Sequence, residues 1–365
     1  MNRLFIPMLA MTFCWLLTAC EENSGNNFDA CNQKADQTPL LTNVSDILII
    51  PAYQDLSQRI AQLSEAVNNF VAAPSESTLA ATRSIFKTTY LSWQRAAPFE
   101  FGPAEAVFLK STINNFPLNE TVLQDNLNKG TWNLDAAGTY DKGLPALDYL
   151  LYGVASDDQA IVTYFMNTPN AKKYLTDVVS QVKGKVDQVV SDWTKDYRAK
   201  FIANTGTAAG TGLSLIINSL NEEYEYIKRD KLGIPSGVVT LGFTNPTKVE
   251  AYHSGLSLEL LNEALNASEQ YFLGKNGIGL DDYLNEVDAM KNGEKLSSVI
   301  KAQYQAARNA IQQISSPLSE AVDKQNSVVQ TAYTQLVKQI INIKTDMPSV
   351  LCVAITYVDN PSDSD

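Results

Sequence analysis

Apolar residues recur three and four apart, over runs too long for a strand, and this restricts the fold more than any other feature of the chain. Tyr53, Leu56, Ile60, Leu63, Val67 and Phe70 make one such stripe, which a helix of 3.6 residues per turn gathers on a single face. Pro74 and Ser75 end that run and cap the next, where Leu79, Thr82, Phe86, Thr89 and Trp93 keep the spacing. The run from Leu175 to Phe201 is rich in valine, yet its apolar positions also fall at helical intervals. Further stripes start at Leu213, Leu258, Ile300 and Val329, and no stretch sustains the period-two alternation of a half-buried strand. With 45% apolar and 19% charged residues, the chain can fill a large core. The expected fold is all-α, with two helical-bundle domains and a cleft between them. The N-terminal bundle spans residues 44–205 and the C-terminal bundle 206–365, with the glycine-rich stretch around Gly206, Gly210 and Gly212 at the join.

Between Ala97 and Gly153 the pattern breaks into short pieces punctuated by Pro98, Gly102, Pro103, Pro117, Gly130, Gly143, Pro145 and Gly153. Irregular segments held on a rigid scaffold are where binding groups concentrate. Within 142–153, Asp148 stands among Leu147, Tyr149, Leu150 and Leu151. Either it points to water from a short helix, or it is buried and needs a hydrogen-bond donor, a cation or a metal. Arg95 and Glu100 flank an aromatic cluster that either packs as a helix end or faces Asp148 across the cleft. An arginine partner would keep Asp148 ionised, whereas a second carboxylate would raise a pKa unless a cation bridged the two.

Glu250 and His253 are spaced to share a helix face, as in di-iron bundles, but such sites need a second histidine, and His253 is the only one. Multi-histidine zinc and iron centres are excluded, and any metal would rest on oxygen ligands, with Asp148 the best candidate. His253 is expected to hydrogen bond beside the irregular segment of the second bundle, with Ser254 and Ser257 nearby. Acids outnumber bases 40 to 28, a net charge of −12 that disfavours nucleic acid. No glycine-rich phosphate loop, paired-cysteine motif, zinc-protease helix motif or nucleophile elbow is present. No catalytic residue is therefore assigned.

The first 19 residues read as a signal peptide: Arg3, then an apolar run from Leu4 to Leu17 too short to span a bilayer as a helix. Leu17, Thr18, Ala19 and Cys20 look like a lipobox, so Cys20 is the expected lipidation site and the membrane a partner through that anchor; an ordinary secretory cleavage nearby is the alternative. Residues 20–43 read as a polar tether. Cys31 and Cys352 then remain outside the cytoplasm and are a candidate disulfide, with a buried free thiol at Cys352 as the alternative.

Several segments, in order, resemble the imelysin family of bacterial envelope proteins, also called the M75 peptidase family. Trp93 to Pro103 resembles its aromatic-Phe-Gly-Pro segment, Asn114 to Glu120 its WPLDE-like segment, and Lys142 to Gly153 its G-x-H-x-x-E motif with the leucine–aromatic–glycine tail. Lys231 to Gly237, Val249 to Ser257 and Ala354 to Asn360 match further segments, so the resemblance runs from about residue 40 to the C-terminus. It implies a secreted or lipid-anchored protein of two bundles, a motif site in the cleft between them, and a link to iron uptake. Gly143 keeps the motif's glycine, but Pro145 stands at its histidine position and Asp148 at its glutamate position. Proline offers no ligand, so a zinc peptidase loses its nitrogen donor. The expected function is a non-catalytic lipoprotein of the cell envelope, most simply of the outer membrane. It would bind iron or haem, or an envelope protein of an iron-uptake system, at the cleft. The rivals are an M75-type peptidase with carboxylate ligands only and a surface module for protein interaction.

Overall fold

The computed structural model describes residues 35–357. Cys20, Cys31 and the signal segment lie outside the described residues. The helices that carry the fold are α1 (Ile50–Ala72), α2 (Glu76–Ala96), α3 (Glu120–Lys129), α4 (Gly143–Asp148), α5 (Pro169–Asp192), α6 (Gly212–Tyr226), α7 (Ser257–Leu273), α8 (Leu296–Ile311) and α9 (Asn326–Ile340). The stripes read from the sequence are their buried faces: α1 buries Tyr53, Leu56, Ile60, Leu63, Val67 and Phe70. Each such side chain contributes about 1.5–3 kcal/mol when fully buried. Ser75 and Thr78 form a reciprocal cap at the start of α2. A short antiparallel pairing of Met290–Lys291 with Glu294–Lys295 is the only sheet among the described residues.

Helices α1, α2 and α5 pack together as the first bundle, and α6 to α9 form the second. The seam between them is made where α2 lies on α7, and the buried apolar side chains of both bundles join one continuous core. Several helices widen by one residue per turn near their ends, at Val44–Ile49, Tyr149–Gly153, Trp193–Tyr197, Ile227–Gly233 and Ile341–Asp346. Such wide turns recur at functional sites, and here two of them hold residues of the seam.

One expectation is corrected. The tether does not run to residue 43, because Thr38–Asn43 is helical. Leu40 and Leu41 are buried, and a polar tether has no such side chains to bury. Cys352 is disulfide-bonded; its expected partner, Cys31, falls outside the described residues. Among the described residues no helix is long and apolar enough to cross a membrane.

Candidate functional site

Helix α4 begins where only glycine fits. Gly143 has φ +71°, and a Cβ there would lie 2.3 Å from the Ile113 carbonyl oxygen. Pro145 follows in the first turn, where a missing N–H leaves no intrahelical bond unmade. Asp148 ends the helix and is only 2% exposed. Its partners come from the other bundle: Oδ2 accepts the His253 amide at 2.9 Å and Oδ1 the Ser254 amide at 3.1 Å. Left-handed backbone at Ala251 and Gly255 bends the loop that offers these consecutive amides, a concave arrangement suited to an anion. Burial raises the Asp148 carboxyl above its ordinary range, while the Ser254 side chain and the His253 and Ser254 amides pull it back.

His253 closes the other side of this joint. Its Nε2 lies 3.0 Å from Glu120 Oε1, and its ring packs beside Tyr149 and Tyr252, with centroids 5.2 and 5.1 Å away. The ring rests on the last residue of the motif segment, since a Cβ on Gly153 would fall 2.1 Å from His253 Nδ1. Glu120 is held at the first position of α3, whose cap is the Asn119 side chain accepting the Val122 amide. Glu120, His253, Tyr252, Pro145 and Asp148, with Phe116, line a pocket of about 40 Å³. That is far below the roughly 300–1,000 Å³ of drug-sized ligand sites, so haem does not enter it as it stands.

Beneath the pocket lies a buried charged network. Lys231 donates to Glu250 and, at 2.9 Å, to Gln94 Oε1. Glu250 Oε1 also accepts from Gln94 Nε2 at 3.0 Å and Asn114 Nδ2 at 2.7 Å, and Asn114 Oδ1 accepts the Tyr90 hydroxyl at 2.6 Å. The ion pair is buried on both sides, which in a low-dielectric interior is tolerable only when the remaining polar atoms are bonded. Ser257 donates its hydroxyl to the Glu250 carbonyl, tying the start of α7 to the same loop.

Arg95 and Glu100 do not reach Asp148 as partners. Arg95 bridges Glu263 across the seam at 2.8 Å and Asp55 within its own bundle at 2.9 Å. Glu100 Oε1 accepts the Lys110 amide at 2.9 Å, and its other oxygen is buried with no partner among the described residues. Burial pushes Glu100 up to about 7, against the pull of the Lys110 amide and charge. Lys110 itself pairs with Glu223 at 3.0 Å and sits 4.2 Å above the Tyr226 ring.

The structure thus gathers Gly143, Pro145, Asp148, His253 and Ser254 in one joint, sets Glu250 and Ser257 in the layer below, and separates Arg95. Glu120, Lys231, Gln94 and Asn114 were not singled out in the sequence. Glu120 and Lys231 each stand at one end of a segment that resembles the family, and that was their available signal.

The donor set does not fit a peptidase zinc. Proline replaces the motif histidine, both Asp148 oxygens accept backbone amides, and His253 is turned onto Glu120. Among the described residues no three His, Cys, Asp or Glu side chains are grouped to hold a metal ion.

Comparison with known proteins places these features. The family model described as Imelysin, Peptidase M75, matches residues 49–343. The iron-regulated protein A of Synechococcus elongatus is 22% identical over 310 residues, which are 80% of each chain. The crystal structure of a candidate iron-regulated protein A precursor from Parabacteroides distasonis superposes with a TM-score of 0.72 at 16% identity, covering 87% of this chain and 95% of that one. An imelysin-like protein from Psychrobacter arcticum gives 0.69 at 19% identity, covering 89% and 98%.

Proposed function

The chain belongs to the imelysin family, and from that premise we propose that it is a non-catalytic binding protein of the cell envelope, lipid-anchored at Cys20 and serving iron acquisition. The observation that carries this reading is the pocket at the bundle seam. There Glu120 and His253 present a carboxylate and an imidazole 3.0 Å apart above Pro145. The two are hydrogen bonded to each other and, among the described residues, no third protein donor is grouped with them, so the cargo that suits this pair is a small iron chelate that brings most of its own ligands. The pocket's size favours iron over haem as cargo. Asp148 serves the site indirectly: its carboxylate holds the loop that carries His253.

Non-catalysis is supported by the chemistry of the motif. Hydrolysis by a bound zinc needs an open metal position with protein ligands around it, and Pro145 supplies none. The relatives named for iron regulation support the iron context. The test is a binding panel on purified protein with ferrous iron, ferric citrate and haem, run beside a protease assay with and without chelator. Iron binding that weakens in Asp148→Ala, without proteolysis, is the expected outcome. Chelator-sensitive cleavage lost in Asp148→Ala would favour the peptidase instead, and binding of none of the three would remove the iron reading.

A further inference from the structure

A second cavity opens on the same seam, away from the motif pocket, with a volume of about 350 Å³. That is within the range of small-molecule sites. Its first wall is a helical face running from Ile47 and Leu48 through Pro51 and Ala52 to Asp55, and its second is the face of α7 with Asn266, Ala267 and Gln270. The cavity exists because the side chains meeting there are short. Ala52 on one wall and Ala267 on the other leave open the space over Phe99 and Leu48 that larger side chains would fill.

The polar groups around this apolar floor are unequally satisfied. Asp55 is neutralised by Arg95, whose other nitrogen goes to Glu263. Lys275 follows the left-handed Gly274 that ends α7 and is itself left-handed, with φ +57°. Among the described residues no carboxylate pairs with Lys275, although the chain carries −12 overall. Asn266 and Gln270, one turn apart, line the same wall with side-chain amides that bond to no described residue. An apolar floor, two free amides and one uncompensated cation describe the complement of a compact organic anion.

We propose that this cavity binds a small amphipathic monoanion, its apolar body between Ala52 and Ala267 and its anionic group at Lys275. The site is independent of the motif pocket, and its failure would leave the iron reading untouched.

Fluorescence titration of the purified protein tests it with two probes of the same rings: 1-anilinonaphthalene-8-sulfonate, which carries one negative charge, and neutral N-phenyl-1-naphthylamine. The sulfonate probe should saturate a single class of site. Ala267→Trp, which fills the cavity, should weaken both probes by about tenfold or more. Lys275→Glu should weaken only the sulfonate probe, and Phe243→Ser, in an exposed apolar loop elsewhere, should change neither. Ala52→Leu serves if the tryptophan variant fails to fold. Unchanged binding in a folded, filled variant overturns the site, and equal loss of both probes in Lys275→Glu overturns the charge assignment.

Discussion

Gly153 and His253 form the contact on which the motif's geometry turns. Neither helix nor turn geometry alone requires the glycine; it is needed because an imidazole occupies the space of its missing side chain. Gly153→Ala should therefore cost about 1–3 kcal/mol by overpacking. Most of that loss should vanish in a His253→Ala background, so a double-mutant cycle read by urea unfolding should give a coupling above about 0.5 kcal/mol. Additive losses would mean that the ring and the glycine do not share that space. Glu100 makes a pH prediction. Folded, it holds its proton to about pH 7, whereas an unfolded glutamate releases it near 4.5. Between those values the folded chain binds more protons, so stability falls as pH rises through the window and the loss is complete above it. The span corresponds to at most ~3 kcal/mol. Glu100→Gln should be the more stable protein at about pH 8 and lose that advantage toward about pH 4.5; an advantage independent of pH would assign the effect to another cause.

At the scale of elements, α4 and the loop before α7 are a joint between bundles. Much of α4 was legible in the sequence. Asp148 among leucines was read as either exposed or buried and the structure buries it, while Gly143 was read as punctuation and as the motif's glycine. Its partners were not legible, because they are backbone amides, which any residue supplies. The long helices could be read because each stripe is local, whereas the Lys231–Glu250 pair depends on how two helices and two loops meet. For the same reason the sequence left Arg95 open between packing at a helix end and facing Asp148; the first holds, because Asp55 and Glu263 take it once the bundles pack. Removing Lys231 should be severe. Lys231→Met leaves Glu250 buried and uncompensated and should cost about 3–5 kcal/mol, while the paired change Lys231→Met with Glu250→Gln should recover part of it. Thermal unfolding measures both. A single variant as stable as the parent would show that water reaches Glu250 and that the network is not closed.

Across the whole molecule, the two bundles share one core, and polar contacts that pin the seam include the Asp148 clip, the Lys231 network, the Lys110–Glu223 pair and the Arg95–Glu263 bridge. A zinc-peptidase site of the family's kind would need an open metal position in this seam. The chain has instead closed most of the motif with its own hydrogen bonds and left Glu120 and His253 at the mouth of a small pocket. The fold and its relationship to imelysins were legible because helical spacing and segment order persist over the full length. The pocket was not, because Glu120 and His253 are 133 residues apart and meet only when α4 seats the loop. The most direct test of this account is equilibrium dialysis of the protein against ferric citrate, with Glu120→Gln/His253→Ala measured in parallel. Retention by the parent and affinity weaker by about tenfold or more in a double variant shown to be folded are predicted; equal retention by both, or by neither, would contradict it.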